Sequence, residues 1–190
     1  MTADPTPLPP IERSVSVSWE PDAAFRRFTA DFATWWPSSS HSIGGKRVKQ
    51  IAFETRVGGR IYEELLDGRR FQWGTLTAWD PPRRVAFTWH PSRDESVAQD
   101  VEVRFVPEGT GTKVVLISKG WERLGERASR ERKGYSIGWG SVLATYAGRF
   151  SAAMVVFGLL SRIITFYLRI TGKLEAEIDK ARGRMPANPS

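Results

Sequence analysis

The chain has 190 residues, no cysteine, a formal net charge of +7 and an apolar fraction of 41%. Disulfides and thiolate metal sites are excluded, and the length suits one domain with an appendage. Its 8 Trp and 10 Phe call for a large aromatic core or an apolar pocket, because that much ring area must be taken out of water.

Met1 to Pro10 is proline-rich and lacks the basic-then-apolar order of a signal peptide, so residues 1–10 read as a disordered tail. Ile11, Arg13, Val15, Val17 and Trp19 alternate with Glu12, Ser14, Ser16 and Ser18, which predicts a half-buried strand. Glu20-Pro21-Asp22 opens a helix with proline in its first turn. Phe25, Phe28 and Phe32 share one face of it, and Trp35-Trp36-Pro37 ends the helical region. Ser38 to Ser42 reads as a loop, and Gln50 to Glu54 as a short strand.

Val57 to Trp89 predicts an antiparallel meander of three strands, punctuated by Gly58-Gly59, Asp67-Gly68 and Pro81-Pro82. Phe71 and Trp73, then Val85, Phe87 and Trp89, put large side chains on one face of it. In the next strand Val97, Val101, Val103 and Phe105 share a side. Val114 and Leu116 alternate with Val115 and Ile117, so the last strand is apolar on both faces and is central or covered by a helix. From Ala128 the period becomes helical, with Tyr135, Trp139, Val142, Leu143, Tyr146 and Phe150 in one stripe. Gly134, Gly138 and Gly140 interrupt that helix. Each interior glycine costs roughly 1 kcal/mol against alanine. They point to close backbone approach, to room for a bound molecule, or to fraying. The order is strand, helical region, six strands, long helix. It predicts an α+β sandwich, a curved antiparallel sheet of about seven strands wrapped on a long C-terminal helix with a cavity between.

A set of short motifs runs through this order: Trp35-Trp36-Pro37 followed by His41, Phe53-Glu54, Val57-Gly58-Gly59-Arg60, Tyr62-Glu63, Asp67-Gly68 and Trp73-Gly74. Trp79-Asp80-Pro81-Pro82-Arg83-Arg84, Thr88-Trp89, Thr112-Lys113-Val114, Gly120-Trp121 and Gly138-Trp139 complete it. In order and spacing these residues resemble the START-like (SRPBCC, Bet v 1-like) superfamily. Within it they resemble the branch named for the activator of the ninety-kilodalton heat-shock protein's ATPase. The resemblance covers residues 11–150 and implies the helix-grip fold. It says less about function, because such proteins range from lipid carriers to cyclases to co-chaperones. Bacterial relatives often carry His at the position of Ser118, so this chain offers a smaller neutral group there.

The chain's two histidines, His41 and His90, are not at metal-ligand spacing and read as structural or surface residues. No nucleophile elbow is present. Gly58-Gly59 lacks the context of a phosphate loop. Glu54, Glu63 and Glu64 read as a solvated outer face from strand alternation. No catalytic set, metal site or cofactor follows. Basic residues between Arg123 and Lys133 interleave with acids, as on a solvated helix, so no nucleic-acid partner is expected. The expected cavity lining is Trp35, Trp36, Phe53, Tyr62, Trp73, Trp89, Val103, Leu116, Ser118, Tyr135, Trp139 and Leu143. The same side chains would equally pack a core.

The leading expectation is a non-enzymatic, cytoplasmic protein that binds a hydrophobic small molecule or lipid in this cavity. The resemblance implies two alternatives: a co-chaperone-like module for a heat-shock ATPase, and a cavity enzyme such as a cyclase or hydrolase. The first ranks lower because the eukaryotic activators carry a further N-terminal domain, whereas ten residues precede the first strand here. Beyond the domain, residues 151–182 predict an apolar helical extension. Gly158, Arg162, Thr165, Arg169 and Lys173 form its narrow polar stripe. Residues 151–170 suggest a homodimer contact ahead of attachment to a membrane surface. Residues 183–190 read as a tail.

Overall fold

The computed structural model describes residues 7–91 and 93–149; the first part of the expected tail, the apolar extension at 151–182 and the tail at 183–190 lie outside these described residues. The chain forms β1 (Ile11–Val17), three short helices α1 (Pro21–Phe28), α2 (Phe32–Trp35) and α3 (Ser38–His41), and then six strands. These are β2 (Val48–Phe53), β3 (Arg60–Leu65), β4 (Arg70–Asp80), β5 (Arg84–Trp89), β6 (Gln99–Glu108) and β7 (Gly111–Lys119), followed by α4 (Ala128–Tyr146). The sheet order is β1-β7-β6-β5-β4-β3-β2, with every described pairing antiparallel. The result is the expected α+β helix-grip arrangement, a curled half-barrel with a C-terminal helix.

Strand alternation decides which side is the core. Val85, Phe87 and Trp89 of β5 and Val101, Val103 and Phe105 of β6 are buried on the inner face. In β7, Val114 and Leu116 are fully buried while Val115 and Ile117 are half-buried on the other face. β7 lies between β1 and β6, so it is an interior strand of the sheet, one of the two placements its apolar faces predict. β4 and β5 approach closely at Gly74, where a Cβ would overlap the carbonyl oxygen of Thr88. The β3–β4 register shifts beside it, between Ile61 and Tyr62.

Three expectations need correction. The helical region is two helices, because the Thr29 hydroxyl and N–H both donate to the Phe25 carbonyl and end α1. The serine-rich stretch after Pro37 is a helical turn, α3, with the His41 N–H donating to the Pro37 carbonyl at 2.9 Å. Pro9 and Pro10 are not free: their carbonyls accept from Arg132 at 2.6 and 3.0 Å, and Leu8 packs on the core. Proline lacks an N–H but keeps its carbonyl, so a proline-rich end can still be anchored.

The acidic residues of β3 also depart from expectation. Glu63 is on the inner face and fully buried, and its carboxylate accepts from the N–H groups of Ile43 and Gly44 at 3.1 and 2.7 Å. Glu64 is on the outer face and is buried too, under Lys49 at 2.9 Å and Arg70 at 2.8 Å. Hydrogen bonds from Lys49 and Arg70 hold its carboxyl below the ordinary carboxylate range.

Two outcomes are expected. Gly74→Ala should lower stability by about 1–3 kcal/mol through overpacking, read as a lower urea midpoint. Glu64→Gln should melt below the parent at neutral pH. A depressed folded-state pKa gives stability that is present above the unfolded value and lost as pH falls through the folded one. The gap between the two proteins should therefore close on acidification, which melts across a pH series would follow.

Candidate functional site

Where the N-terminal half of α4 passes the end of β5, the two do not close on each other. A cavity of about 380 Å³ is left, bounded by α4, by the α2–α3 segment and by the start of the connection after β5. Trp36, Trp89, Trp139 and Val142 form its apolar wall, Pro91 edges it, and His41, Arg130, Glu131 and Tyr135 supply polar groups.

The wall belongs to a cluster of four tryptophans. Ring centroids lie 5.3 Å apart for Trp36–Trp73, 5.6 Å for Trp36–Trp89, 5.6 Å for Trp73–Trp89 and 5.2 Å for Trp89–Trp139. The indole N–H groups of Trp73 and Trp139 are buried and have no acceptor among the described residues. Buried indole donors usually find a partner.

Gly134 and Gly138 form the helix side of the cavity, one turn apart. A Cβ at either would meet nothing within 4 Å. Of the three readings open from sequence, these two positions leave room, and α4 runs unbroken through them. Gly140 is different: a Cβ there would lie 3.8 Å from Arg13 of β1, whose guanidinium donates to the Ser136 carbonyl at 3.0 Å.

Two of the polar groups at the cavity, Glu131 and Tyr135, meet the same arginine. Glu131 is paired with Arg93 at 2.8 Å, and the Arg93 guanidinium sits 5.6 Å over the Tyr135 ring. Burial pushes the Tyr135 phenol above its usual pKa and the His41 imidazole below its own. α3 carries His41 to the cavity. The Trp36 indole donates to the His41 carbonyl at 3.3 Å, and buried Glu63 fixes the Ile43–Gly44 backbone that follows.

Among the residues expected to line a cavity, Trp36, Trp89, Tyr135 and Trp139 do so. Trp35, Trp73, Val103, Leu116 and Leu143 are buried in the core, and Phe53 packs against it. Ser118 is fully buried with no partner for its hydroxyl among the described residues. Tyr62 is a correction. It faces away from the core between the Arg60 and Arg70 guanidiniums, at 5.6 and 5.4 Å, because Ile61, Glu63 and Leu65 take the inner positions of β3. His41, Arg130 and Glu131 were not in the expected lining. For His41 the available signal was its place four residues after Pro37, one helical turn along. His90 is buried rather than at the surface, with Nδ1 3.2 Å from the Arg93 carbonyl.

Among the described residues no acidic, His or Cys cluster could hold a metal ion, and no helix is long and apolar enough to cross a membrane.

Residues 19–147 match the family model for Activator of Hsp90 ATPase homolog 1-like protein. Comparison with curated proteins gives no match. Among solved structures, the chain is 35% identical to Txn09, described as an anthrahydroquino-γ-pyrone synthase. That match covers 76% of this chain and 98% of the synthase, with a TM-score of 0.53. Two more distant likenesses bear on the fold alone. Protein MLL2253 from Mesorhizobium loti is 18% identical over 74% of this chain and 96% of its own, TM-score 0.53. The Aha1 dimer from Colwellia psychrerythraea is 14% identical over 76% and 100%, TM-score 0.51. With its helix-grip architecture, and a family model that spans β2 to β7 and α4, the chain belongs to the Activator of Hsp90 ATPase homolog 1-like family.

Proposed function

We propose that the protein binds a flat, ring-fused hydrophobic molecule between α4 and the tryptophan wall. The observation that carries this reading is the pair Gly134 and Gly138. Two interior glycines weaken α4 by roughly 1 kcal/mol each relative to alanine, and neither is required by a close contact, since a Cβ at either position meets open space. Stability alone therefore does not account for them; a slot accounts for half-buried Gly138, while exposed Gly134 stands where the slot opens to solvent. Indole faces at Trp36, Trp89 and Trp139 suit stacking on a planar ring system. The unpartnered Trp139 N–H suits a ligand with a carbonyl acceptor. A 35% identical relative described as a synthase of a γ-pyrone fused to an anthrahydroquinone supports the same ligand shape. The alternative, a docking module for a heat-shock ATPase, draws on the family description alone. The proposed ligand-binding unit is residues 11–150. The apolar segment 151–182, proposed as a contact for self-association or a membrane surface, lies outside the described residues.

Gly138→Leu separates slot from scaffold. The leucine side chain enters the cavity while removing the glycine penalty, so the variant should melt at or above the parent, with a gain of up to about 1 kcal/mol. Its affinity for the hydroxyanthraquinone alizarin, read by quenching of tryptophan fluorescence, should fall at least about tenfold. Equal affinity in both proteins would remove the slot reading.

A further inference from the structure

His41 is arranged for chemistry that binding alone does not need. Its Nδ1 lies 2.8 Å from the Ser40 hydroxyl oxygen, and the Ser40 hydroxyl is 3.3 Å from the Pro37 carbonyl. A carbonyl can only accept, so when the Ser40 O–H donates to Pro37 its oxygen is left to accept from Nδ1–H, the tautomer the proposal below uses. In that tautomer the lone pair is on Nε2, and the ring hydrogen bond His41 makes among the described residues is through Nδ1. Burial favours the uncharged ring, so His41 reaches neutral pH as a base with Nε2 as its receiving nitrogen.

The other polar groups of the cavity divide into complementary roles. Glu131 is held by Arg93 and is not available as the base. Burial keeps the Tyr135 phenol protonated, as a donor. Arg130 lines the cavity, forms no ion pair among the described residues, and carries a permanent charge. A neutral base and two donors around one apolar slot is the set needed for proton abstraction next to a carbonyl.

We infer that the cavity is a proton-transfer site, where His41 removes the proton α to the carbonyl of a ring-fused ketone and Tyr135 and Arg130 receive the oxyanion. The α C–H bond breaks and its proton goes to Nε2 of His41. The C–H electron pair becomes the carbon–carbon double bond of an enolate, and the carbonyl π pair moves onto oxygen, facing the two donors. Return of the proton from imidazolium to carbon restores the ketone, so the step needs no oxidant and no second reactant. Ser40 is a positioning residue, acting through the tautomer of His41. The proposal deepens the ligand-binding reading and rests on it.

The probe is α-tetralone, a bicyclic aryl ketone whose α-hydrogens exchange slowly in neutral water. In D₂O the wild-type protein should speed deuterium incorporation, followed by mass spectrometry. His41→Gln should lose at least about a hundredfold of that acceleration, the usual scale of a general base. Binding of α-tetralone, read by saturation-transfer NMR, should be retained in the variant, which also reports that it is folded. Should His41→Gln not fold, Tyr135→Phe gives the parallel measurement, with exchange slowed and binding kept. Bound α-tetralone that exchanges no faster than in buffer would overturn the proposal and leave the carrier reading intact. Equal exchange in wild type and His41→Gln would also overturn it. Failure of α-tetralone to bind would end the proposal, and failure of alizarin as well would end the ligand-binding reading with it.

Discussion

The arrangement depends on how α4 is fastened over the aromatic face of the sheet. Near its C-terminal end Tyr146 is fully buried, and its hydroxyl donates to the Ala24 carbonyl of α1 at 2.7 Å. The rings of Trp19, Phe28 and Trp35 surround it at 5.5, 5.4 and 5.1 Å. So enclosed, the phenol stays protonated far past its usual range. Near the other end Arg132 reaches the Pro9 and Pro10 carbonyls and Glu131 meets Arg93. The helix is thus held at both ends while its middle carries no side chain at residues 134 and 138. The cavity lies along the helix at these glycines, with Glu131 of one fastening in its lining.

The two halves of the interior differ accordingly. Under the Tyr146 end, Phe25, Phe28, Phe32, Trp35, Phe105 and Tyr146 pack against one another at centroid distances of 5.0–6.4 Å. Such pairs add about 0.5–1.5 kcal/mol each beyond their area. At that end the Trp35 indole donates to the Arg27 carbonyl at 2.7 Å and the Tyr146 hydroxyl to Ala24, while the Arg27 Nε is buried without a partner among the described residues. Under the other end, the indoles of Trp73 and Trp139 and the hydroxyl of Ser118 have no partner among the described residues. A buried donor left unmatched costs about 1–3 kcal/mol. Natural chains break such local rules most often where a site is built.

Strand count, order and the single long helix were readable because each rests on a strong periodic signal closed by a turn. Gly68, in the β3–β4 turn, has φ +83° as its Asp-Gly setting demands. The glycine-interrupted helix was readable for the same reason. Glu63 was misread for a definite cause. Period two assigns residues to opposite faces but does not say which face is inside, and the aromatic Tyr62 is the obvious inward marker from sequence. Two guanidiniums cover the Tyr62 ring from outside, so the parity of β3 is reversed and a carboxylate enters the core to hold Ile43 and Gly44. No periodic pattern announces a buried charge whose partners are backbone amides 19 and 20 residues away. His41 was hidden similarly, because the five consecutive polar residues Ser38 to Ser42 look like a loop, whereas the first four form the turn α3 after Pro37.

The strand order has a consequence for how copies of this domain can meet. β1 and β2 are the two outermost strands, and each leaves one row of backbone groups unpaired by the sheet. β2 has only 6 residues, its pairing with β3 slips between Val48 and Gln50, and Lys49 stands at that slip. β1 is entered from Pro9-Pro10 and places Glu12 and Arg13 in its first turn of pleat, with Arg13 drawn across to α4. Short length, a bulge, charge and proline are the devices that stop one sheet from extending into the next. These features work against continuous sheet formation between neighbouring copies at both margins, and favour contacts made by side chains on faces over contacts made by backbone along an edge.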